Sequence, residues 1–312
     1  MDRAQLLMEA RDLLAHTGFF VSEQHWSRGL SFDLAARRDD VLLLVKILLN
    51  VDALSQDAAR ELKAIAYSLD AATLLVGLKS SSGALQQGVV YSRFGIPIAT
   101  PRTLQEFLEE GVPPFIFSAP GGLYVRLNSD VLRRVREEMG ISLGQMAEVA
   151  HVSRRTIQMY VDGMSATVEA ASRLEEFLNE PLVLPLDPFG SPDEAAGRSR
   201  RPSPAKDFHG MIRSLLTKLG YDVFLTQRSP FDAITKDEAI LFLAGMDRQE
   251  RALRRKAEVV ANLSKVVEKE PIIFVSRREK ISLRGVPIID ALELRKLRER
   301  GEMVELVEER KE

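Results

Sequence analysis

Ser153, Arg154, Arg155, Thr156, Gln158 and Met159 form the chain's most informative run of polar and cationic residues. Two guanidinium groups directly follow a serine able to cap a helix. A guanidinium fork suits guanine O6/N7 or a phosphate, and a carboxamide can pair bidentately with adenine. The free N–H groups of a helix start also favour phosphate. Asp33 and Lys46 are a second pair, thirteen residues apart. They are weak catalytic candidates, and a structural cap at a strand entrance is the better explanation of Asp33. Other chemistry is thin. The histidines, His16, His25, His151 and His209, show no metal-ligand spacing. Absence of cysteine removes thiolate ligands and thiol nucleophiles. The loop SSSGALQQG lacks the glycine-lysine pattern of a phosphate cradle. No metal and no cofactor is expected.

The arginines need a helix to present them. Ser142 and Ser153 stand where helix N-caps belong. Met146, Ala147, Ala150 and Val152 supply small and apolar positions for a close crossing, and Ile157 and Tyr160 face the same core. Gly163 stops the second helix. A helix begun by Asp130 and ended at Gly140 precedes the pair, and another over 167–180 follows. The skeleton Ala147, Val152, Ser153, Ile157, Gly163 resembles the lambda-repressor/Cro helix-turn-helix, over about Leu132 to Phe177. That resemblance implies a recognition helix over about 153–161 in the major groove of double-stranded DNA. Arg154, Arg155 and Met159 then take base-edge positions, and Ser153 and Thr156 phosphate or groove-edge positions. The departures are Leu143 for the usual glutamine, His151 for the turn glycine and Val161 for a glutamate. Residues 126–181 also hold seven arginines and no lysine against nine acids, so this reader lacks a broadly basic face.

The flanks repeat one another. SFDLAARRDDVLLLVK (31–46) aligns with PFDAITKDEAILFLAG (230–245), LLAHTGFFV with LLTKLGYDV, and GIPIATPRTLQEFL with GVPIIDALELRKL. The shared order is helix, glycine turn, Phe-Asp, strand, helix, strand, helix, which predicts a duplicated domain. The unit resembles the PD-(D/E)XK nuclease core of restriction enzymes and junction resolvases. That resemblance implies two acids holding Mg²⁺ and a lysine positioning water. Leu44 replaces the second acid, and the later copy keeps Asp232 but has Leu243 and Gly245 on its strand. Glu9 could reach the first site, but its counterpart is Met211. Catalysis is therefore not expected. Basic stretches at Arg248, Arg251, Arg254, Arg255 and at Arg198, Arg200, Arg201, Lys206 read as solvated faces or phosphate contacts.

Hydrophobic residues at 45%, charged residues at 28% and a net charge of −2 describe an ordinary globular chain without a polyanion-binding field. The N-terminal amphipathic helix is not a leader, and VLLLVKILLNV is too short to span a membrane. A cytoplasmic protein is expected. The segments are α/β over 1–122, a helical bundle over 123–185, a linker over 186–206, flexible from about Gly190, and α/β over 207–312. The connector EEGVPPFIFSAPGG separates the first two. The fold class is multidomain: two duplicated restriction-endonuclease-like α/β domains flanking an all-α lambda-repressor-like bundle. As a whole the chain resembles an archaeal family of helix-turn-helix transcriptional regulators, which implies a cytoplasmic, sequence-specific DNA-binding regulator; on physical grounds a homodimer is expected, its two-fold symmetry letting two weak helices engage two half-sites. A junction or repair nuclease, and a non-catalytic scaffold, remain as alternatives.

Overall fold

The computed structural model describes residues 1–23, 29–190, 207–237, 239–247, 250–278 and 280–311, with only the backbone at 250–252. Compactness divides the chain into two units. Residues 1–47, 54–73 and 191–312 make the first, and residues 48–53 and 74–190 the second.

In the first unit, α1 (Arg3–His16) starts from a capping box in which Asp2 and Gln5 satisfy each other's backbone N–H. It buries Leu6, Leu7, Ala10 and Leu14. Strands β1 (Phe20–Val21), β2 (Leu34–Arg38) and β3 (Val41–Asn50) pair antiparallel. Helix α2 (Gln56–Leu69) follows, capped by Ser55.

The second unit contains β4 (Ala72–Ser80), β5 (Gly83–Ala84), β6 (Val89–Arg93), β7 (Ile96–Ala99) and α3 (Pro101–Leu108). β8 (Ile116–Ala119) and β9 (Gly122–Leu127) come next, then α4 (Ser129–Glu138), α5 (Leu143–Ala150) and α6 (Arg154–Val161). β10 (Ala166–Thr167), α7 (Val168–Leu178) and β11 (Val183–Leu184) close it. β4 runs parallel to β7, β6 antiparallel to β7, and β6 parallel to β8. The stretch expected as a connector therefore holds a strand hairpin, and the border expected at 122/123 falls inside it. The bundle is not purely helical either. β9 pairs with both β10 and β11, and it lends Val125 and Leu127 to the helical core. Residues 186–189 are tied down rather than free. Leu186 N–H donates to the Pro114 carbonyl at 2.8 Å, and Phe189 meets Phe107 edge-on at 5.5 Å. The rest of the expected linker, 191–206, lies outside the described residues.

The chain then returns to the first unit. α8 (Phe208–Lys218) leads to β12 (Asp222–Leu225), β13 (Ala233–Lys236), β14 (Leu241–Asp247) and α9 (Glu250–Val267). β15 (Glu270–Val275), β16 (Ser282–Leu283), β17 (Val286–Asp290), α10 (Ala291–Leu294) and α11 (Arg300–Glu309) complete it. β12/β13 and β13/β14 are antiparallel, like β1/β2 and β2/β3. β15/β17 is parallel and β16/β17 antiparallel, like β4/β7 and β6/β7.

Within the first unit the N-terminal and C-terminal parts pack on each other. The Ser31 N–H donates to the Arg228 carbonyl at 2.5 Å. The Glu61 carboxylate accepts the N–H groups of Gln227 and Arg228 at 3.1 and 2.7 Å. The rings of Phe32 and Phe231, each next to its aspartate, stand 6.4 Å apart. Arg37 pairs with Glu268 at 2.7 Å.

Candidate nucleic-acid interface

The helix-turn-helix forms through local hydrogen bonds that the sequence specifies. Ser142 Oγ accepts the Gln145 N–H, and Gln145 Oε1 accepts the Ser142 N–H at 2.9 Å, a second capping box. His151 ends α5 in the left-handed region, at φ 56° and ψ 42°, the place where glycine is usual. Ser153 Oγ accepts the Thr156 N–H at 3.0 Å and starts α6. The hydroxyls of Ser153 and Thr156 also bond each other at 2.9 Å, so both are partly used in holding the helix start. Before α5, α4 is capped by Asn128 rather than by the expected Asp130, which lies inside its first turn.

Met146, Ala147, Ala150, Ile157 and Tyr160 are buried in one core with Leu132, Leu174 and Leu178. Val152 packs on that core while staying half-buried. This packing sets which side of α6 faces out. Ser153, Arg154, Arg155, Gln158 and Met159 are exposed, and Thr156 is half-buried. Gln158 donates its amide to Asp162 at 3.1 Å, a bond it would exchange for one to a base.

The arginines of this segment divide sharply by what they touch. Arg133 donates to the Val161 carbonyl at 3.0 Å, at the C-terminus of α6, and also pairs with Asp130. Arg173 donates to the Ala150 carbonyl at the end of α5. Arg134 and Arg136 pair with Glu138 and Glu137. Arg154 and Arg155 have no carboxylate partner among the described residues. The Arg154 guanidinium lies against Gly144 of α5, where an added Cβ would stand 3.0 Å from Nε and Nη2. The weak net charge of the segment thus hides two uncompensated cations on the first turn of α6.

The Phe-Asp motifs do a different job. Asp33 is fully buried, its N–H donates to the Val45 carbonyl, and its Oδ2 accepts the Ile47 N–H at 2.7 Å. Arg3 of α1 reaches Oδ1 at 2.5 Å, and Lys46 Nζ lies 3.2 Å from Oδ2. Lys46 Nζ also donates to the Leu30 carbonyl at 2.6 Å. Burial holds the Lys46 ammonium below its ordinary value, and Asp33 only partly offsets this. Leu44 is fully buried and Glu9 exposed. One carboxylate already met by two cations and a backbone N–H is no place for Mg²⁺, which needs several oxygen ligands. The donor set does not fit the metal of a nuclease core, and we derive no cleavage step from it.

Asp232 repeats this backbone arrangement. Its N–H donates to the Ala244 carbonyl at 2.9 Å, and its Oδ2 accepts the Met246 N–H at 2.6 Å. Its cations differ. Lys256 of α9 lies 2.8 Å from Oδ2, and His209 Nε2 of α8 lies 3.6 Å from Oδ1. Arg3, His209 and Lys256 escape sequence reading because each sits far along the chain from the aspartate it meets. Among the described residues no three His, Cys, Asp or Glu side chains are placed as metal ligands, and no helix is long and apolar enough to cross a membrane. Arg254 and Arg255 are exposed on α9. The side chains of Arg248 and Arg251, and residues 198–206, lie outside the described residues, as does His25.

A helix-turn-helix joined to a nuclease-like α/β fold is the class these observations define. Comparison agrees. The family model described as a PD-(D/E)XK superfamily domain matches residues 3–114, and the helix-turn-helix model matches residues 132–184. The chain is 34% identical to a protein of Natronomonas pharaonis, 35% to one of Halorubrum lacusprofundi and 32% to one of Methanosarcina acetivorans. The matches cover 99–100% of this chain and 98–100% of those relatives. Each relative is named "Putative HTH-type transcriptional regulatory protein". The chain belongs to this archaeal family. No solved structure matches it.

Proposed function

We propose that this protein is a sequence-specific, double-stranded-DNA-binding transcriptional regulator. α6 enters the major groove, and Arg154 and Arg155 contact base edges or flanking phosphates. Gln158 and Met159 lie along the groove, and Ser153 and Thr156 stand at its edge. The observation that carries this is the pairing pattern. Four neighbouring arginines are spent on carbonyls and carboxylates, while Arg154 and Arg155 stand exposed without a carboxylate partner among the described residues. The relatives' name supports the regulatory role. A homodimer would engage two half-sites one helical turn apart. The α/β parts read as a duplicated, non-catalytic platform in which the C-terminal copy pairs with the N-terminal one.

The test is selection from a randomised duplex pool at two salt concentrations, wild type beside Arg154→Ala/Arg155→Ala. The wild type should enrich a palindromic motif and the variant should not, since a bidentate arginine–base pair contributes about 1–3 kcal/mol of discrimination. Equal binding by both, with a steep salt slope, would remove α6 as the reader. The PD-(D/E)XK match favours one other reading, a nuclease targeted by its helix-turn-helix. A Mg²⁺-dependent cleavage assay on forked and four-way DNA addresses it. Cleavage by wild type that Asp33→Ala abolishes would establish it.

A further inference from the structure

Strands β8 to β11 have two faces with different surroundings. Partners across a sheet share a face, and successive residues alternate between faces. Ile116, Val125 and Ala166 stand side by side, as do Leu127 and Val183. All five belong to the helical core or pack on it. The opposite face therefore carries Phe117, Tyr124 and Thr167 in one row, and Arg126 with Leu184 in the next. Val90 of β6 extends the first row beside Phe117. Phe117, Tyr124 and Thr167 are half-buried, Arg126 is exposed, and Leu184 is 39% exposed.

The rings on this face are held in place. Phe117 and Tyr124 lie 6.0 Å apart with their planes 30° from parallel. The Tyr124 hydroxyl donates to the Pro120 carbonyl at 3.3 Å, which fixes its ring beside the hairpin tip. Gly121 makes this possible, because its φ is +101° and an added Cβ would stand 2.8 Å from the Tyr124 oxygen. The charge on the sheet has one sign. Strands β6 to β11 contain Arg93 and Arg126 as their charged residues, and no acid. Asp52 pairs with Arg93 at 2.8 Å. Arg126 has no carboxylate partner among the described residues. A second copy seated on this face by a two-fold axis would bring no acid to answer Arg126, whereas a polyanion would.

We propose that the outer face of β8 to β11 is a second nucleic-acid surface, and that it takes a single strand. Successive bases stack on Phe117 and Tyr124, and Arg126 meets a phosphate. A paired duplex keeps its base faces stacked on one another, so the rings have nothing to offer it. The surface lies in the same compact unit as α6 and shares no residue with it. This inference therefore does not rest on α6 reading a duplex.

The experiment is fluorescence anisotropy of a labelled oligothymidylate with the full-length protein, over a range of salt concentrations. Wild type should bind it saturably. Phe117→Leu/Tyr124→Leu keeps apolar cover on the sheet and removes both rings, and should weaken binding by about tenfold or more. Arg126→Gln should lower the slope of log affinity against log salt by about 0.7, the share of one phosphate contact on a single strand. Arg154→Ala/Arg155→Ala should bind the oligonucleotide as wild type does. No saturable binding by wild type overturns the proposal, and so does unchanged affinity in the ring variant or an equal loss in the α6 variant. Sedimentation velocity on the same proteins tests the other occupant. A wild-type dimer that becomes a monomer in the ring variant would show that this face joins two copies, and would overturn the proposal. If the ring variant does not fold, Arg126→Gln decides, since its side chain is exposed. A reduced slope supports the proposal, and an unchanged affinity and slope overturns it.

Discussion

Asp33→Asn tests whether the N-terminal cluster is structural. The substitution keeps the shape of the side chain and deletes its charge. Lys46, at 7% exposure, then keeps a buried ammonium with the Leu30 carbonyl as its remaining close partner, and Arg3 stands beside it. Removing one member of a buried pair costs about 3–5 kcal/mol, because the stranded charge keeps its desolvation penalty. One kcal/mol shifts the melting temperature of a domain this size by about 2–4 °C, so the drop should be about 6–20 °C. Lys46→Met in the Asp33→Asn background should recover most of the loss, because no buried charge is left unpaired. The pH dependence has a definite sign. Burial holds Lys46 below its ordinary value of 10.5 in the fold. Raising pH toward that value discharges the stranded ammonium, so the deficit of Asp33→Asn should shrink there. Urea and thermal melts of the three variants measure all of this. A loss below about 1 kcal/mol in Asp33→Asn, or a double variant no better than the single one, would refute the reasoning.

Two further predictions concern other elements. The Asp232 carboxylate raises the His209 pKa above its ordinary 6.5, against the effect of burial, with Asp207 assisting. Its stabilising contribution is therefore complete below 6.5 and lost as pH rises through the elevated value. The melting-temperature gap between wild type and His209→Gln should be widest near about pH 6 and close by about pH 9. A gap that is constant with pH would show that His209 only packs. Gly144→Ala places a Cβ 3.0 Å from the Arg154 guanidinium, a flexible group that can move aside. The variant should gain up to about 1 kcal/mol from helix propensity. It should also lose about fivefold in affinity for the selected motif, because Arg154 is no longer pre-placed. Unchanged affinity would mean that the resting position of Arg154 has no bearing on binding.

What could be read from the sequence was what short-range hydrogen bonding decides. Ser142, Ser153 and Gly163 bracket their helices because capping partners lie two or three residues away, so residue type alone announces them. The helices and the longest strands of the flanks were legible through hydrophobic runs, glycine turns and the repeated Phe-Asp, whereas the shorter strands β2, β6 and β13 were not. Features that depend on remote pairing were not. Ile116–Ala119 sits among prolines and glycines and becomes a strand by pairing with β6 and β9. Arg3 and Asp33 are thirty residues apart, and no periodicity announces their contact. Lys256 was hidden further, because the strand position aligned with Lys46 is Gly245 and the ammonium beside Asp232 comes instead from a helix. Asp130 was the natural cap by type, yet Asn128 wins because its N–H bonds the Leu182 carbonyl at 2.7 Å and fixes the chain two residues earlier.

The charge distribution argues for how DNA would be held. Only Arg154 and Arg155 lead α6, and two base contacts supply about 2–6 kcal/mol of discrimination. Specific recognition generally stands about 4–10 kcal/mol above non-specific binding. One copy of α6 therefore reaches only the lower part of that range, while two copies reading a palindrome supply about 4–12 kcal/mol and cover it. The non-specific term cannot make up the shortfall, because the segment has a net charge of −2 and the other arginines of the helices are already engaged. The N-terminal and C-terminal α/β parts already contact each other within one chain, through Ser31 with Arg228 and Phe32 with Phe231. Those contacts are therefore not available to join two chains. The proposed dimer must form on other surfaces, and a variant that leaves the protein monomeric should lose selection of the palindrome while keeping the fold of each unit.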